Sequence, residues 1–468
     1  MSRPIREDYH QKLLLPPCVE DWVHPDSPAR FVRDFVRMLD LKAMGFWVSE
    51  GVEGRPHYSA ELLLGVWLLG FMDRKRSSRV LEKACLFEMP FIWMSCWLKP
   101  DHNTLWRFID RNRPLMRDLF KRIVLVAKEA GLVGFVLHAI DGTKVQSACS
   151  TETALHKDRL EKELNKLVDA TMAEIDKEAA DTGPDYSMPQ AMQDGERRRQ
   201  AIREALAKLE AQDAKHLNPI EPEAKMMKSR QGKRLGYNPQ IVVDHDSDLI
   251  VAEATVQDQN DLSQAVPMLD EAKANLGQAA QTTVMDGGYR NGQQLAEAEA
   301  KGYGVLTNGC ADGSSEKGFA KQDFRYDAER DLYICPLGEQ LKFDHLEKPG
   351  KVELVPRGWY RCHKQDCPVR DKCTQDKKGR TVKRTPYDEV LDRQRQAGQD
   401  PGNRKLLSLR KEIVEHTFGV IKAIDGFWRF TVRGLYRVRA QWALVCAAYD
   451  LRKLYVFWRD GQLKLRPA

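Results

Sequence analysis

Two aspartates stand where apolar segments of the sequence end. Asp141 follows the apolar run at 135–140, Asp286 follows the β-rich run at 282–285, and a glycine comes after each aspartate. In an open α/β sheet, ligands collect outside the carboxyl ends of the strands, and carboxylate oxygens suit hard cations such as Mg²⁺. Asp-Gly is also a common turn sequence, so either aspartate alone would indicate no more than a turn.

A third carboxylate, Glu415, lies on a predicted helix at 403–422. An apolar stripe marks the side of this helix that packs inward, and it consists of Leu406, Leu409 and Ile413. With about 100° between successive residues, a second face carries Ser408, Lys411, Glu415 and Lys422. Such a face is usually a solvated surface with ion pairs, so Glu415 alone does not identify a site.

Four cysteines form a second group of candidate ligands in a polar part of the chain. They are Cys335, Cys362, Cys367 and Cys373. Four thiolates make a common structural zinc set, although the spacing between the last two cysteines is wider than usual. His363 is an alternative ligand. We expect a structural Zn²⁺ site here, and thiols that bind no metal are the alternative.

Basic residues and aromatic rings follow the predicted helix at 403–422. Those that we expect to contact DNA are Trp428, Arg429, Arg433 and Arg437. Cations can neutralise phosphates and rings can stack on unpaired bases, whereas a place in the core is the alternative for Trp428. Residues 361–384 hold nine basic residues and three acidic ones, which makes this segment a second candidate DNA surface.

Length and composition bound the class of protein. A chain of 468 residues is expected to form two or three folded units. The net charge is only +6, but residues 422–468 contain ten basic and three acidic residues, so the basic character is local. The amino terminus has no secretory apolar segment, and no apolar run is long enough to span a bilayer. We therefore expect a cytoplasmic protein with reduced thiols and no membrane partner.

The order of apolar patterns along the chain predicts the helices and strands that must position these residues. Residues 26–130 predict short helices with an arginine-rich connector at 73–76, which suits a helix-turn-helix DNA binder or a plain helical bundle. After residue 134 the order is strand, long insertion, strand, strand, helix, strand, helix and strand. This order predicts an α/β sheet with both faces covered. The insertion at 151–230 is expected to be a helical hairpin, and residues 310–400 form a second, cysteine-bearing insertion.

Together these blocks resemble the prokaryotic insertion-sequence DDE transposases whose catalytic helix carries Tyr-x2-Arg-x3-Glu-x6-Lys. The segments that match are Ile140-Asp141-Gly142-Thr143-Lys144, Gly236-Tyr237-Asn238-Pro239-Gln240, Val284-Met285-Asp286-Gly287-Gly288-Tyr289, and Val414-Glu415-His416-Thr417-Phe418-Gly419-Val420-Ile421-Lys422. The amino-terminal helices resemble the DNA-binding domain of the family through Arg76-Ser77-Ser78-Arg79 and Pro100-Asp101-His102-Asn103-Thr104.

The resemblance implies a fold and a set of site residues. We expect an all-α DNA-binding domain at 1–130, followed at 131–468 by an RNase H-like mixed sheet with the two insertions. Asp141, Asp286 and Glu415 correspond to the catalytic triad, which holds two Mg²⁺ ions for which Mn²⁺ can substitute. The basic residues implied in DNA binding are Lys411, Lys422, Arg76 and Arg79. Ser408 and Lys411 replace the tyrosine and arginine of the motif, and lysine can hold a phosphate only as a point charge.

The implied function is that of a DNA transposase. It would bind the terminal inverted repeats of its own element, cleave the strands and transfer them to double-stranded target DNA, acting as at least a homodimer near the nucleoid of a prokaryotic cell. An RNase H-like nuclease that cuts without joining is one alternative, and a catalytically inactive DNA-binding relative is another. In a third, zinc organises an interaction protein whose acidic residues only form turns and surface charges.

Overall fold

The computed structural model describes residues 18–47, 57–151, 155–156, 169, 171–173, 194–211, 216–218, 220–229, 232–308, 319–349 and 355–465. The amino-terminal region is helical, with α1 (Pro28–Arg37), α2 (Ala60–Met72), α3 (Ser78–Phe87), α4 (Met89–Met94), α5 (His102–Arg111) and α6 (Met116–Glu129). Side-chain caps start several of these helices. Ser27 accepts a hydrogen bond from the Ala29 N–H and Ser59 accepts one from the Leu62 N–H, which satisfies amides that a helix leaves unpaired.

A mixed sheet forms the centre of the molecule. Its strands are β1 (Leu137–Gly142), β2 (Val145–Gln146), β5 (Lys225–Ser229), β6 (Gly232–Asp244), β7 (Ile250–Val256), β8 (Thr282–Met285) and β9 (Val305–Thr307), while β3 (Leu155–His156) and β4 (His216–Leu217) pair separately. The second half of β6 pairs antiparallel with β1 and β7, and its first half pairs with β2 and β5. On the other side, β1, β8 and β9 run parallel.

Helices cover this sheet and complete the fold. They are α7 (Gly195–Ala211), α8 (Ala265–Leu276), α9 (Gly292–Ala300), α10 (Arg370–Cys373), α11 (Asp388–Ala397), α12 (Pro401–Gly419) and α13 (Leu435–Arg459). A π-helical turn at Val420–Ile424 continues α12, which packs on β1 and β8. The sequence prediction of an α/β fold with a mixed sheet after a helical region is confirmed, and the assignment of this sheet to the RNase H-like class stays a prediction.

One hydrophobic core runs from the amino-terminal helices into the sheet. Helix α13 packs against β7 and also against α2 and α6, and the same cluster of buried residues includes Phe31 of α1 and Ile140 of β1. Burial of this kind is the main favourable term in folding. A domain boundary after residue 130 stays a prediction, since packing is continuous across it.

A second sheet has a core of its own. Its antiparallel strands follow one another as β10 (Arg325–Asp327), β11 (Leu332–Ile334), β12 (Gln340–Glu347), β13 (Arg357–Cys362) and β14 (Thr381–Arg384). The buried side chains of this core are Phe324, Tyr333, Leu341, Tyr360 and Val382. These strands form the cysteine-bearing insertion, which the sequence described only as short-stranded.

The other predicted insertion is described in part. Helix α7 corresponds to the second arm of the helical hairpin expected at 151–230, and most of the first arm falls outside the described residues. Within the described portion of the chain, none of the helices has both the length and the apolar character needed to span a membrane.

Candidate active site at the strand ends

Asp141 and Asp286 lie side by side at the carboxyl ends of two parallel strands. Ile140 of β1 is in register with Met285 of β8, so the next residue on each strand is an aspartate. Asp141 accepts a hydrogen bond from the Gly142 N–H at 2.8 Å, and Asp286 accepts one from the Gly288 N–H at 2.8 Å. The sequence expectation that the two aspartates meet at one sheet edge agrees with this register, whereas their catalytic role stays a prediction.

Arg410, which the sequence reasoning missed, is the cation bound to Asp141. Its Nη1 donates to Asp141 Oδ2 at 2.8 Å, and its side chain is only 9% exposed. Arg410 precedes Ile413 and Val414 by one turn, so it shares the buried face of α12 that packs on β1. On the helical wheel Arg410 falls on this buried face, whereas the arginine position of the motif is the following residue, Lys411.

Burial dominates the electrostatics of Asp141. Removal of the carboxylate from water raises its pKa to about 6, Arg410 lowers it, and the neighbouring charge of Asp286 raises it. Burial also lowers the pKa of Lys422 to about 8, while the charge of Asp141 raises it. Asp141 is therefore largely a carboxylate at neutral pH, and Lys422 is largely an ammonium.

Glu415 stands apart from this pair. It is exposed on α12, and within the described part of the chain it has no hydrogen-bond or ion-pair partner. It precedes Phe418 by one turn, and Phe418 lines the cavity next to Asp141. The structure therefore places Glu415 on the helix that borders the site, but it does not bring its carboxylate into contact with either aspartate.

The positions of Asp141, Asp286 and Glu415 determine whether their carboxylates can hold a metal ion. Among the described residues, no group of three or more His, Cys, Asp or Glu side chains stands close enough together to hold a metal ion. Mg²⁺, however, is commonly bound by one or two carboxylates together with water and substrate phosphates. Asp141 and Asp286 fit a Mg²⁺ site that a phosphate would complete, and they do not form a closed site by themselves.

A cavity of about 500 Å³ opens beside Asp141. Its walls combine cations with apolar side chains, namely Lys144, Arg234, Lys422, Met227, Leu235, Phe418 and Trp428. Lys422 Nζ donates to Thr143 Oγ1 and, at 3.2 Å, to the Lys144 carbonyl, and it lies 5.6 Å from the ring centroid of Trp428. The Trp428 side chain is 50% exposed, so the ring is available to stack on a ligand. The cavity suits an anion with an attached planar group.

Several arginines predicted to bind DNA make contacts within the protein instead. Arg429 donates to backbone carbonyls just after β2, one of them 3.0 Å from its Nε. Arg437 forms an ion pair with Asp110 at 3.1 Å, Arg433 is buried, and Arg76 is half-buried. In these positions the arginines contribute to packing and to charge pairing within the protein. Direct DNA contacts by these residues stay predictions.

The other predicted DNA-binding residues are more accessible. Lys422 and Trp428 line the cavity, while Lys411 and Arg79 are exposed on α12 and α3. Sequence patterns marked Lys422 and Trp428 individually. The fold adds the information that they face the same space as Asp141.

The four predicted zinc ligands lie in the second sheet and its loops. Cys335, Cys362 and Cys373 pack against the small core, and none of the four is fully exposed. Burial raises the pKa of Cys373, and the other three thiols raise it further, so all four lie within electrostatic range. They are not close enough, as described, to form a group that could hold a metal ion. Zinc binding therefore stays a prediction.

Two family models match parts of the chain. The model described as "Transposase DDE domain" matches residues 334–455, and the model described as "Transposase domain (DUF772)" matches residues 17–111. The first match contains Glu415, Lys422 and all four cysteines of the second sheet, and the second contains the helices α1 to α5. No curated protein matches the chain. Asp141 and Asp286 lie outside both matched segments, so their assignment depends on the geometry of the strand ends.

Proposed function

We infer that the chain is an insertion-sequence DDE transposase, because both family models that match it describe transposase domains. It would bind the inverted ends of its element, cleave the DNA and join the ends to target DNA. The observation that carries this proposal is the pair Asp141 and Asp286 at adjacent strand ends. The cavity with Lys422 and Trp428 opens beside the pair, and α12, which carries Glu415, borders it. Phosphate, base and metal-binding groups would thus meet at one place.

Asp141 and Asp286 would hold two Mg²⁺ ions, or Mn²⁺ in their place, with Glu415 as the third protein carboxylate. Bound metal supplies an activated water or 3′-hydroxyl and stabilises the leaving oxygen of a phosphodiester. Arg410 fixes the direction of the Asp141 carboxylate through the 2.8 Å hydrogen bond. It also balances the buried charge while no other cation is bound.

Lys422 and Trp428 would position the DNA strand. Thr143 and the Lys144 carbonyl hold the Lys422 ammonium at the cavity, where it can neutralise a backbone phosphate. The half-exposed ring of Trp428 can stack on an unpaired base. Water and a DNA 3′-hydroxyl are equivalent nucleophiles at such a site, so the same groups would serve cleavage and strand transfer. Since two ends must be brought together, we also propose that at least two copies of the chain assemble on DNA.

The test uses the DNA that flanks the gene, supplied both intact and as ends that are already cut. We expect Glu415→Gln to abolish cleavage and joining while it leaves the affinity for DNA within about threefold. Glu412→Gln is the matched control, because Glu412 is exposed on the same helix three residues earlier and should be neutral. Cleavage that survives in Glu415→Gln would overturn the assignment of the triad. Cleavage by the wild type without joining of cut ends would identify a nuclease instead.

A further inference from the structure

Two buried amides on β6 converge on the carboxylate of Asp261, which no sequence pattern marks. Asn238 Nδ2 and Gln240 Nε2 donate to Asp261 Oδ1 at 2.6 and 2.7 Å. Both amide residues are fully buried in the strand that pairs with β1, where a polar side chain is costly unless it is hydrogen-bonded. Asp261 lies in the loop between β7 and α8. The Gly-Tyr-Asn-Pro-Gln segment, for which the sequence suggested no chemistry, therefore serves to hold Asp261.

This network is pressed against the strand end that carries Asp141. A Cβ atom at Gly142 would overlap Gln240 Nε2 and would lie 2.8 Å from Asp261 Oδ1, so only glycine fits there without a shift. Tyr289, fully buried, donates its hydroxyl hydrogen bond to Gln240 Oε1. The network thus joins both strand ends of the candidate site to Asp261.

Lys144 is the third donor to the same oxygen. Its Nζ lies 3.3 Å from Asp261 Oδ1, and the two side chains are 18% and 19% exposed. Lys144 also lines the cavity beside Asp141. Within the described part of the chain, Asp261 is the side-chain partner of Lys144, and an ammonium has three N–H groups. Hydrogen-bonding capacity remains at Lys144 for an anion in the cavity.

We propose that Asp261 is a positioning residue, which holds the Lys144 ammonium in the cavity beside Asp141 so that Lys144 binds a phosphate of the DNA strand. The inference rests on the proposed function, since it takes DNA as the ligand. A free lysine side chain samples many rotamers and loses this conformational entropy when it binds a ligand. A fixed carboxylate at its tip reduces the entropy that is lost on binding. Lys422 reaches the same turn from α12 and donates to the Lys144 carbonyl at 3.2 Å. The ammonium groups of Lys144 and Lys422 therefore both lie near residues 143–144. They would bind oxygens of one phosphate or of two consecutive phosphates.

The direction in which Asp261→Asn changes the affinity for DNA distinguishes the positioning role from simple repulsion between Asp261 and the DNA. Asp261→Asn keeps an acceptor oxygen for Asn238 and Gln240 but removes the charge that holds Lys144. If Asp261 were only an acid near the DNA, its neutralisation would tighten binding. If it positions Lys144, the same substitution weakens binding, and Lys144→Met adds little in the Asp261→Asn background.

The experiment measures the affinity of the full-length chain for a fluorescent duplex of arbitrary sequence with a single-stranded 3′ extension, across a range of salt concentrations. We expect Lys144→Met and Asp261→Asn each to weaken binding about tenfold and to reduce the slope of log K against log salt by about one. Lys144→Arg should restore most of the affinity, because the positive charge is kept. Thermal unfolding of each variant reports whether the fold is intact.

The matched control is the ion pair of Lys301 with Asp270, at 2.7 Å, which lies away from the cavity. Lys301→Met and Asp270→Asn should leave the affinity and the slope unchanged. Tighter or unchanged binding by Asp261→Asn in a folded protein would overturn the positioning role while the proposed function stands. A wild-type chain that binds no DNA at low salt would overturn the proposed function and this inference together.

Discussion

The two places where the sequence predicts metal ligands are built in opposite ways. At the strand ends, Asp141 follows fully buried residues of β1, and α12 and β6 close around it. In the second sheet, the cysteines lie beside a core of five buried side chains, one at the end of β13, one at the end of α10 and two in loops. The first site inherits its geometry from a large core. The second has little apolar burial to define its geometry, and small folded units of this kind often depend on a bound metal.

The two modes of construction predict different responses when the ligands are removed. Where the fold holds the ligands, a substitution removes chemistry and does not lower the stability. Where the ligands hold the fold, a substitution removes structure.

The largest effect is expected from Asp286→Asn. Asparagine can still cap the turn through the Gly288 N–H, so the fold should not change. Cleavage of end DNA should fall by roughly 10³-fold or more, which corresponds to about 4 kcal/mol in the activation free energy. Initial cleavage rates and a thermal unfolding curve measure both quantities on the same preparation. A large fall in the unfolding temperature would show that this aspartate supports the fold, contrary to the contrast drawn above.

Loss of structure is expected from Cys362→Ser, provided that the four thiols bind zinc. Elemental analysis should find one equivalent of zinc in the wild type and none in the variant. Proteolysis within 319–384 should become faster, consistent with a local destabilisation of about 3 kcal/mol. Cys18→Ser is the control, since Cys18 is exposed and far along the chain from the second sheet. A wild-type protein without stoichiometric zinc would contradict the prediction.

A pH-dependent effect on stability is expected from the burial of Asp141. Its pKa is raised from 3.8 to about 6 in the folded protein, so the unfolded chain loses this proton at a lower pH. Ionisation of Asp141 therefore lowers the free energy of unfolding progressively between about pH 4 and pH 6. Asp141→Asn should raise the free energy of unfolding by about 1–3 kcal/mol above pH 6 and change it little below pH 4.

Denaturant unfolding at several pH values measures this effect. Asp118→Asn, at an exposed position in the first turn of α6, should change the free energy of unfolding by less than about 1 kcal/mol. If Asp141→Asn were less stable than the wild type at pH 7, the hydrogen bond from Arg410 would outweigh the cost of burying the charge. The same protonation should lower cleavage activity as the pH falls through about 6, since the proposed site uses the carboxylate.

The sequence predicted most of what depends on local pattern. Apolar runs located β1 and β8 and showed that an aspartate stands at the end of each, whereas the pairing of these two strands is not a local feature. Capping at Ser27 and Ser59 likewise follows from residue type. Such features need only a few neighbouring residues, and their physical causes are local.

The features that the sequence missed depend on contacts between distant segments. Arg410 and Asp141 are 269 residues apart, and Lys144 and Asp261 are 117 residues apart. Neither pair has a local pattern that would mark it, because an arginine or aspartate of this kind could equally be a solvated charge. The pairing of Arg437 with Asp110, across 327 residues, was missed for the same reason.

The smallest effect is expected from substitution of Arg437, which belongs to neither of the two predicted metal sites. Its ion pair with Asp110 joins α13 to α5 at the surface, where the two side chains are 44% and 32% exposed. Because exposed ion pairs contribute little, Arg437→Ala should lower the free energy of unfolding by about 0.2–1 kcal/mol. DNA affinity should fall by less than about threefold, since the guanidinium is already paired. Asp110→Asn frees Arg437 and should tighten DNA binding if Arg437 reaches a phosphate. Asp110 also accepts a hydrogen bond from the buried Arg113 at 2.6 Å, so thermal unfolding of this variant must accompany the binding measurement. A tenfold loss of affinity in Arg437→Ala would instead place a DNA-contacting surface on α13, away from both predicted metal sites.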